Sequence, residues 1–288
     1  MLKKVIAYQN EQNKHWVGNG FHVYGLLRPN EKINPIISPF ILMDYASPKE
    51  FQSSIVPKGV GEHPHRGFET VTFAYQGEIQ HRDSAGGGGI IRAGDVQWMT
   101  AGRGVVHDEF HSEYFSKIGG IFEMVQLWIN LPKEFKMTSP KYQSIKKKEI
   151  PCIKLNNEIN IRLIAGDYKN KLGPAKTFTK IKIMELYGKS KSNITLDLDE
   201  NTNTVLFIRN GSIDLQGVSY KDKSVIIFDQ KGTKINFKTS NNLKALLLNG
   251  KPIDEPLVSY GPFVMNTKKE IEDAINDYKN GKMGNLLG

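Results

Sequence analysis

The chain has 288 residues, 39% apolar and 24% charged, the balance of a folded soluble protein with one large or two ordinary domains. No apolar run approaches the roughly 20 residues of a membrane helix, and Met1-Leu2-Lys3-Lys4 turns polar too early for a secretion signal, so a cytoplasmic protein is expected. The formal charge of +9 comes mostly from lysines scattered between apolar residues, and the densest run, Lys146-Lys147-Lys148, has no interleaved aromatics, which argues against direct nucleic-acid binding.

Short strands separated by turns are predicted along most of the chain. Glu69 to Tyr75 alternates, with Val71, Phe73 and Tyr75 on one face and Thr70, Thr72 and Ala74 on the other, and Gly77 ends the run. Extended segments follow at 79–83, 90–92 and 96–99, divided by glycine turns at 86–89 and 101–104. Val125 to Ile129 is a further apolar strand, stopped by Asn130-Leu131-Pro132. Beyond it, strands are expected at 193–198, 204–209, 224–228, 234–238 and 244–248, with Asn210-Gly211 as a hairpin signal. Such regular spacing suggests two barrels or sandwiches, with a boundary within 132–160 favoured by the lysine-rich stretch 141–149 and Pro151. Thr267-Lys268-Lys269-Glu270 reads as a capping box opening a helix, and Ile271, Ala274, Ile275 and Tyr278 form its packing stripe.

Cys152 is the only cysteine, which excludes an internal disulfide and a thiolate-rich zinc site. It is expected to be a small buried apolar residue. Any metal must therefore rely on histidine and carboxylate. All seven histidines (His15, His22, His63, His65, His81, His107 and His111) precede residue 112, which places such chemistry in the N-terminal half.

Within that half, His63-Pro64-His65 and His107-Asp108-Glu109 share i, i+2 spacing, which on a strand projects both side chains from one face. If both strands face a barrel interior, four donors converge on one point from two walls. Three imidazoles and a carboxylate occupy part of an octahedron and leave positions open, as oxygen chemistry at iron requires. His81-Arg82-Asp83 has the same spacing and is the rival pair. A single histidine on an apolar strand is otherwise an ordinary hydrogen-bonded core residue, and His15 and His22 are expected at the surface or in packing.

The runs from His63 through Thr72 and from Gly94 through Gly104, then His107 and Glu109, closely resemble the signature of the pirin family of the cupin superfamily. The likeness continues at 126–132, 140–143 and 261–267. This resemblance implies an all-β bicupin, two β-barrel (jelly-roll) domains packed together, with a C-terminal α-helix. Residues 1–135 would form the metal-binding barrel, and 136–288 a barrel without metal that ends in helix 267–280.

The family's ligands fall on His63, His65, His107 and Glu109, making His81 and Asp83 non-ligands. Glu69 occupies the place of a general cupin ligand, and the resemblance makes it a supporting polar group beside the site. The implied cofactor is one divalent metal ion, Fe(II) first, with Mn, Co, Ni, Cu or Zn as alternatives. The implied activity is a dioxygenase opening flavonols such as quercetin with O2, with Glu109 as catalytic base. The alternative is an iron-binding regulatory protein acting through contact with a protein partner, a transcription cofactor or a modulator of a metabolic enzyme.

Overall fold

The computed structural model describes residues 1–10 and 13–286, and the chain divides into two compact units, each discontinuous in sequence. One comprises Met1–Glu11, Asn30–Pro39 and Lys148–Pro252; the other comprises Gln12–Pro29, Phe40–Lys147 and Ile253–Gly288. Among the described residues, each unit is built on one seven-stranded and one four-stranded sheet, all antiparallel. This is the paired jelly-roll architecture of a bicupin.

In the second unit the seven-stranded sheet runs in the order 141–145, 96–100, 68–76, 120–130, 40–51, 21–27, 14–17. The four-stranded sheet runs 59–65, 105–111, 78–83, 88–92. The strands expected at 69–75, 79–83, 96–99 and 125–129 lie within Phe68–Gln76, Glu78–Asp83, Val96–Thr100 and Gly120–Asn130. Phe68 to Ala74 is buried at every position, so alternation there marks two covered faces, not one wet face.

The first unit has a core that includes Leu163, Leu186, Leu206, Phe228, Phe237 and Leu247. Its strands Ser192–Asp197, Asn203–Asn210, Val225–Phe228, Lys234–Thr239 and Lys244–Gly250 match the expected segments. Cys152 departs from expectation. It is exposed on Cys152–Lys154, the outermost strand of its sheet, because the strand's alternation turns Ile153 inward and Cys152 out.

The expected division at residue 135/136 differs from these units, for two physical reasons. At the N-terminus, Val5–Gln9 pairs with Val225–Phe228, and the Lys3 ammonium donates to the carbonyls of Thr202, Asp229 and Gln230. The first strand thus completes the sheet of the first unit. At the other end, the helix Lys268–Lys279 buries Ile271 and Ala274 among Val106, Phe263 and Met265 of the second unit. Its capping box is formed as expected, with the Glu270 amide donating to the Thr267 hydroxyl and the Thr267 amide to the Glu270 carboxylate. Tyr278, placed on the packing stripe by periodicity, is exposed at 39%. The crossing at Lys147/Lys148 does fall in the lysine-rich stretch.

Lys136 holds this C-terminal segment in place. Its side chain is buried, and its ammonium donates to the Gly67 carbonyl at 2.8 Å, Asn130 Oδ1 at 2.7 Å and the Val264 carbonyl at 2.9 Å. Burial pulls its pKa down to about 7, against the pull of Glu255 and Glu270, and the three acceptors match the three N–H bonds of the charged form. Gly67 has φ +88, and a Cβ there would meet the Val264 carbonyl oxygen at 2.0 Å, so only glycine permits this approach. Among the described residues no helix is long and apolar enough to cross a membrane.

Lys136→Met is expected to strand three buried acceptors and cost about 2–4 kcal/mol. Thermal unfolding of wild type and variant side by side checks this, and an unchanged Tm would remove Lys136 as the tie.

Candidate metal centre

The centre begins with strand register. Gly59–His65 and Val105–His111 are antiparallel neighbours in the four-stranded sheet, with His63 opposite His107 and His65 opposite Val105. Alternation puts His63 and His65 on one face, and cross-strand pairing brings His107 to the same face. The expected convergence from two walls is therefore corrected: these strands are hydrogen-bonded neighbours on one wall. The i, i+2 rule identifies a shared face but not which strand lies beside which. The register shift between His107 and Glu109 places its extra residue on the neighbouring strand, between Val60 and His63, so His107 and Glu109 keep their i, i+2 relation and a common face.

The three imidazoles cluster closely. Ring centroids are 4.2 Å apart for His63 and His107, 4.7 Å for His65 and His107, and 4.9 Å for His63 and His65. A ligand atom from each of the three lies within 4.8 Å of the others. Glu109 forms an overlapping group with His107 and His81.

Hydrogen bonds set the rings' tautomers. His63 Nδ1 lies 2.8 Å from the Gly61 carbonyl, and His65 Nδ1 lies 3.4 Å from the Pro262 carbonyl. A carbonyl only accepts, so each Nδ1 carries the proton and each Nε2 keeps its lone pair. His107 Nδ1 faces His81 Nδ1 at 3.3 Å, and His107 Nε2 is buried without a hydrogen-bond partner among the described residues. An orphaned, buried imidazole nitrogen beside two similarly directed rings fits a cation: the missing partner is an electron-pair acceptor. Nitrogen and carboxylate donors suit a divalent transition metal better than calcium or magnesium, which favour all-oxygen shells.

Glu109 is held from two sides. Gln126 donates to Oε2 at 2.8 Å and Gln97 to Oε1 at 3.4 Å. Burial pushes its pKa up, but hydrogen bonding with His81, the charges of His81 and His63, and the Gln126 donor outweigh this and hold it below the ordinary value. Burial and the neighbouring His63 hold His65 down to about 3, and burial with His65, His63 and His81 holds His107 well below its usual value. Both rings are thus neutral donors.

His81 and Asp83, set aside as non-ligands by resemblance, stand at the edge of this cluster. The Glu78–Asp83 strand pairs with Val105–His111 so that His81 faces Glu109 and Asp83 faces His107. His81 Nε2 is 3.3 Å from Asp83 Oδ2 and Nδ1 is 3.8 Å from Glu109 Oε1. Burial lowers the His81 pKa, but both carboxylates outweigh it and raise the ring above its usual value.

The remaining histidines stand apart. His111 is buried against Phe51, Phe115 and Phe122, its pKa pulled down to about 4 mainly by burial. His22 stacks on Trp16, and His15 is exposed. Glu69 is not beside the site. It pairs across the sheet with Ile129, on the face opposite Thr70 and Trp128, and accepts from Thr100 at 2.7 Å. Trp128 packs against His65, so the Glu69 face points away from the imidazoles. Residue spacing missed Gln97, Gln126 and Pro262. Each glutamine interrupts an otherwise apolar strand, which is the available signal; the Pro262 carbonyl has none.

The cluster lines a cavity of about 330 Å³ that includes His63, His65, Glu109 and Gln126. Its apolar walls include Val17, Phe21, Leu42, Val60, Met124 and Trp128. An apolar enclosure with a few convergent polar groups is the usual form of a small-molecule site.

The pirin family profile matches residues 22–129, and the profile for the pirin C-terminal cupin domain matches 183–284. A crystal structure of quercetin 2,3-dioxygenase from Acinetobacter baumannii superposes with a TM-score of 0.96 at 45% identity, covering 100% of each chain. A Pseudomonas aeruginosa protein with a provisional quercetin 2,3-dioxygenase name is 42% identical over 98% of each chain. Pirin-1 of Arabidopsis thaliana is 36% identical, covering 99% of this chain and 94% of its own.

His63→Ala and His107→Ala are each expected to lose bound divalent metal without unfolding, measured as metal content after anaerobic loading alongside circular dichroism. Full occupancy in both would remove the assignment. Gln126→Ala removes the donor that holds the Glu109 carboxylate beside the imidazoles and should weaken metal binding by roughly 10–100-fold.

Proposed function

This chain belongs to the pirin family, and from that membership we propose that it is a metal-dependent dioxygenase that opens the central ring of flavonols such as quercetin with dioxygen. The observation that carries the reading is the convergence of three imidazoles, one with an orphaned Nε2, beside an apolar-walled cavity of about 330 Å³ that His63 and His65 line. In this reading His63, His65, His107 and Glu109 hold one divalent ion, Fe(II) first, with Mn, Co, Ni, Cu and Zn compatible with the same donors. When bound, the ion supplies Lewis-acid polarisation to the 3-hydroxyl and neighbouring carbonyl of the flavonol.

The chain's own residues then account for binding and proton movement. Trp128, Leu42 and Met124 offer flat apolar surface to an aromatic substrate. Glu109 accepts the 3-hydroxyl proton at a carboxylate oxygen, and its lowered pKa keeps it ionised for that purpose at neutral pH. Gln126 and Gln97 orient that carboxylate. His81, held between Asp83 and Glu109, helps to keep the Glu109 carboxylate ionised. Dioxygen attack on the deprotonated flavonol yields the opened ester and carbon monoxide.

Anaerobic loading with Fe(II), then exposure to quercetin in air, is expected to bleach the flavonol and release carbon monoxide. Glu109→Gln should retain part of the metal and lose roughly 10²–10⁴-fold in turnover, because an amide does not accept the proton as a carboxylate does. Unchanged turnover would remove Glu109 as the base. A fully loaded protein inert to a panel of flavonols would overturn the enzyme reading and favour a role in protein contact.

A further inference from the structure

The cavity has a second polar end, which the chemistry above does not use. Arg28 and Asp44 line it together with His15. The Arg28 guanidinium donates to Asp44 Oδ1 and to the Leu27 carbonyl, and it lies 3.3 Å from His15 Nε2. Asp44 is buried at 8% exposure. Its carboxyl is pushed up by burial, against the opposing pull of Arg28.

The pair is a built feature of the sheet. Asp44 is the cross-strand partner of Gly25 on one side and of Gln126 on the other. A Cβ on Gly25 would sit 2.5 Å from a guanidinium nitrogen of Arg28, so the bare backbone at 25 is what lets the guanidinium reach Asp44. Gln126 in turn donates to Glu109. Glu109, Gln126, Asp44 and Arg28 therefore form a polar row across the cavity floor, spanning about 10 Å at two strand spacings. The pair is half-buried, with Asp44 covered and Arg28 partly exposed, and such an ion pair adds little net stability, so stability alone does not account for its place on a cavity wall.

We propose that the Arg28–Asp44 pair is the specificity element of this site, recognising a phenolic hydroxyl on the ring of the flavonol remote from the cleaved bond. The proposal rests on the flavonol reading above. A hydroxyl donates to the Asp44 carboxylate and accepts from the Arg28 guanidinium, so both halves of the pair are satisfied by one group. A methyl ether has no proton to donate, and a carboxylate would meet the like charge of Asp44. A bare phenyl ring would desolvate the pair without replacing its lost water contacts.

The test compares three flavonols that differ only on the remote ring: quercetin with two hydroxyls, galangin with none, and the 3′,4′-dimethyl ether of quercetin, which should behave as galangin does. Each is titrated anaerobically into the Fe(II)-loaded protein for affinity and assayed in air for kcat/KM. Wild type is expected to favour quercetin over galangin by roughly 10–100-fold in affinity and in kcat/KM, through KM more than kcat. The double variant Arg28→Met, Asp44→Leu removes both charges together, and its quercetin-to-galangin ratio should fall toward one. Gly25→Ala keeps both charges but displaces the guanidinium, and should lower the ratio in the same direction. Circular dichroism and metal content confirm that each variant is folded and loaded.

A wild-type ratio retained in the double variant overturns the proposal, as does wild type binding galangin and quercetin equally. Binding with the expected preference but without turnover sinks the dioxygenase reading and supports the specificity pair. Absence of both binding and turnover for all three flavonols overturns both.

Discussion

The pairing of His63 with His107 across two neighbouring strands is the constraint from which the metal centre follows. A slip of one residue would send His63 and His65 to the opposite face and leave His107 alone. The apolar and polar faces of a barrel wall penalise such a slip, so the register is held by the whole sheet. The irregularity beside the two histidines falls on the Gly59–His65 strand between Val60 and His63, so Glu109 keeps the face of His107, where Gln126 and Gln97 donate to it.

Orientation is as important as convergence. Three rings on one face make a donor set only if their lone pairs meet, and carbonyls at Gly61 and Pro262 commit two of them by taking the Nδ1 protons. Pro262 comes from the far end of the chain, in the segment that Lys136 fastens through the Val264 carbonyl. The packed helix Lys268–Lys279 and the buried ammonium thus belong to the metal centre's support, although neither touches it. A barrel cut off at residue 135 would lack both the carbonyl and the tie.

The cavity floor separates two kinds of polar chemistry on one sheet. Near the imidazoles, Gln126 and Gln97 present amides to a carboxylate whose pKa is held below its ordinary value. One strand spacing from Gln126, Asp44 faces Arg28 across Gly25. Apolar walls keep the medium between these ends poor in water, which strengthens each polar contact and makes an unmatched one costly.

From sequence alone, the concentration of histidines before residue 112 located the chemistry, i, i+2 spacing gave His63 and His65 a common face, and alternation and capping residues marked most strands and the C-terminal helix. These are local properties, set by backbone geometry over a few residues. Which strand lies beside which is a long-range choice, and only the folded chain decided that the two histidine strands are neighbours on one wall. The same holds for His81 beside Glu109, Glu69 facing away, Cys152 turned outward on an outermost strand, and Arg28 reaching Asp44 over Gly25. Strand period tells a side chain which face it occupies; the partner across that face is fixed by register and topology, which no local pattern encodes.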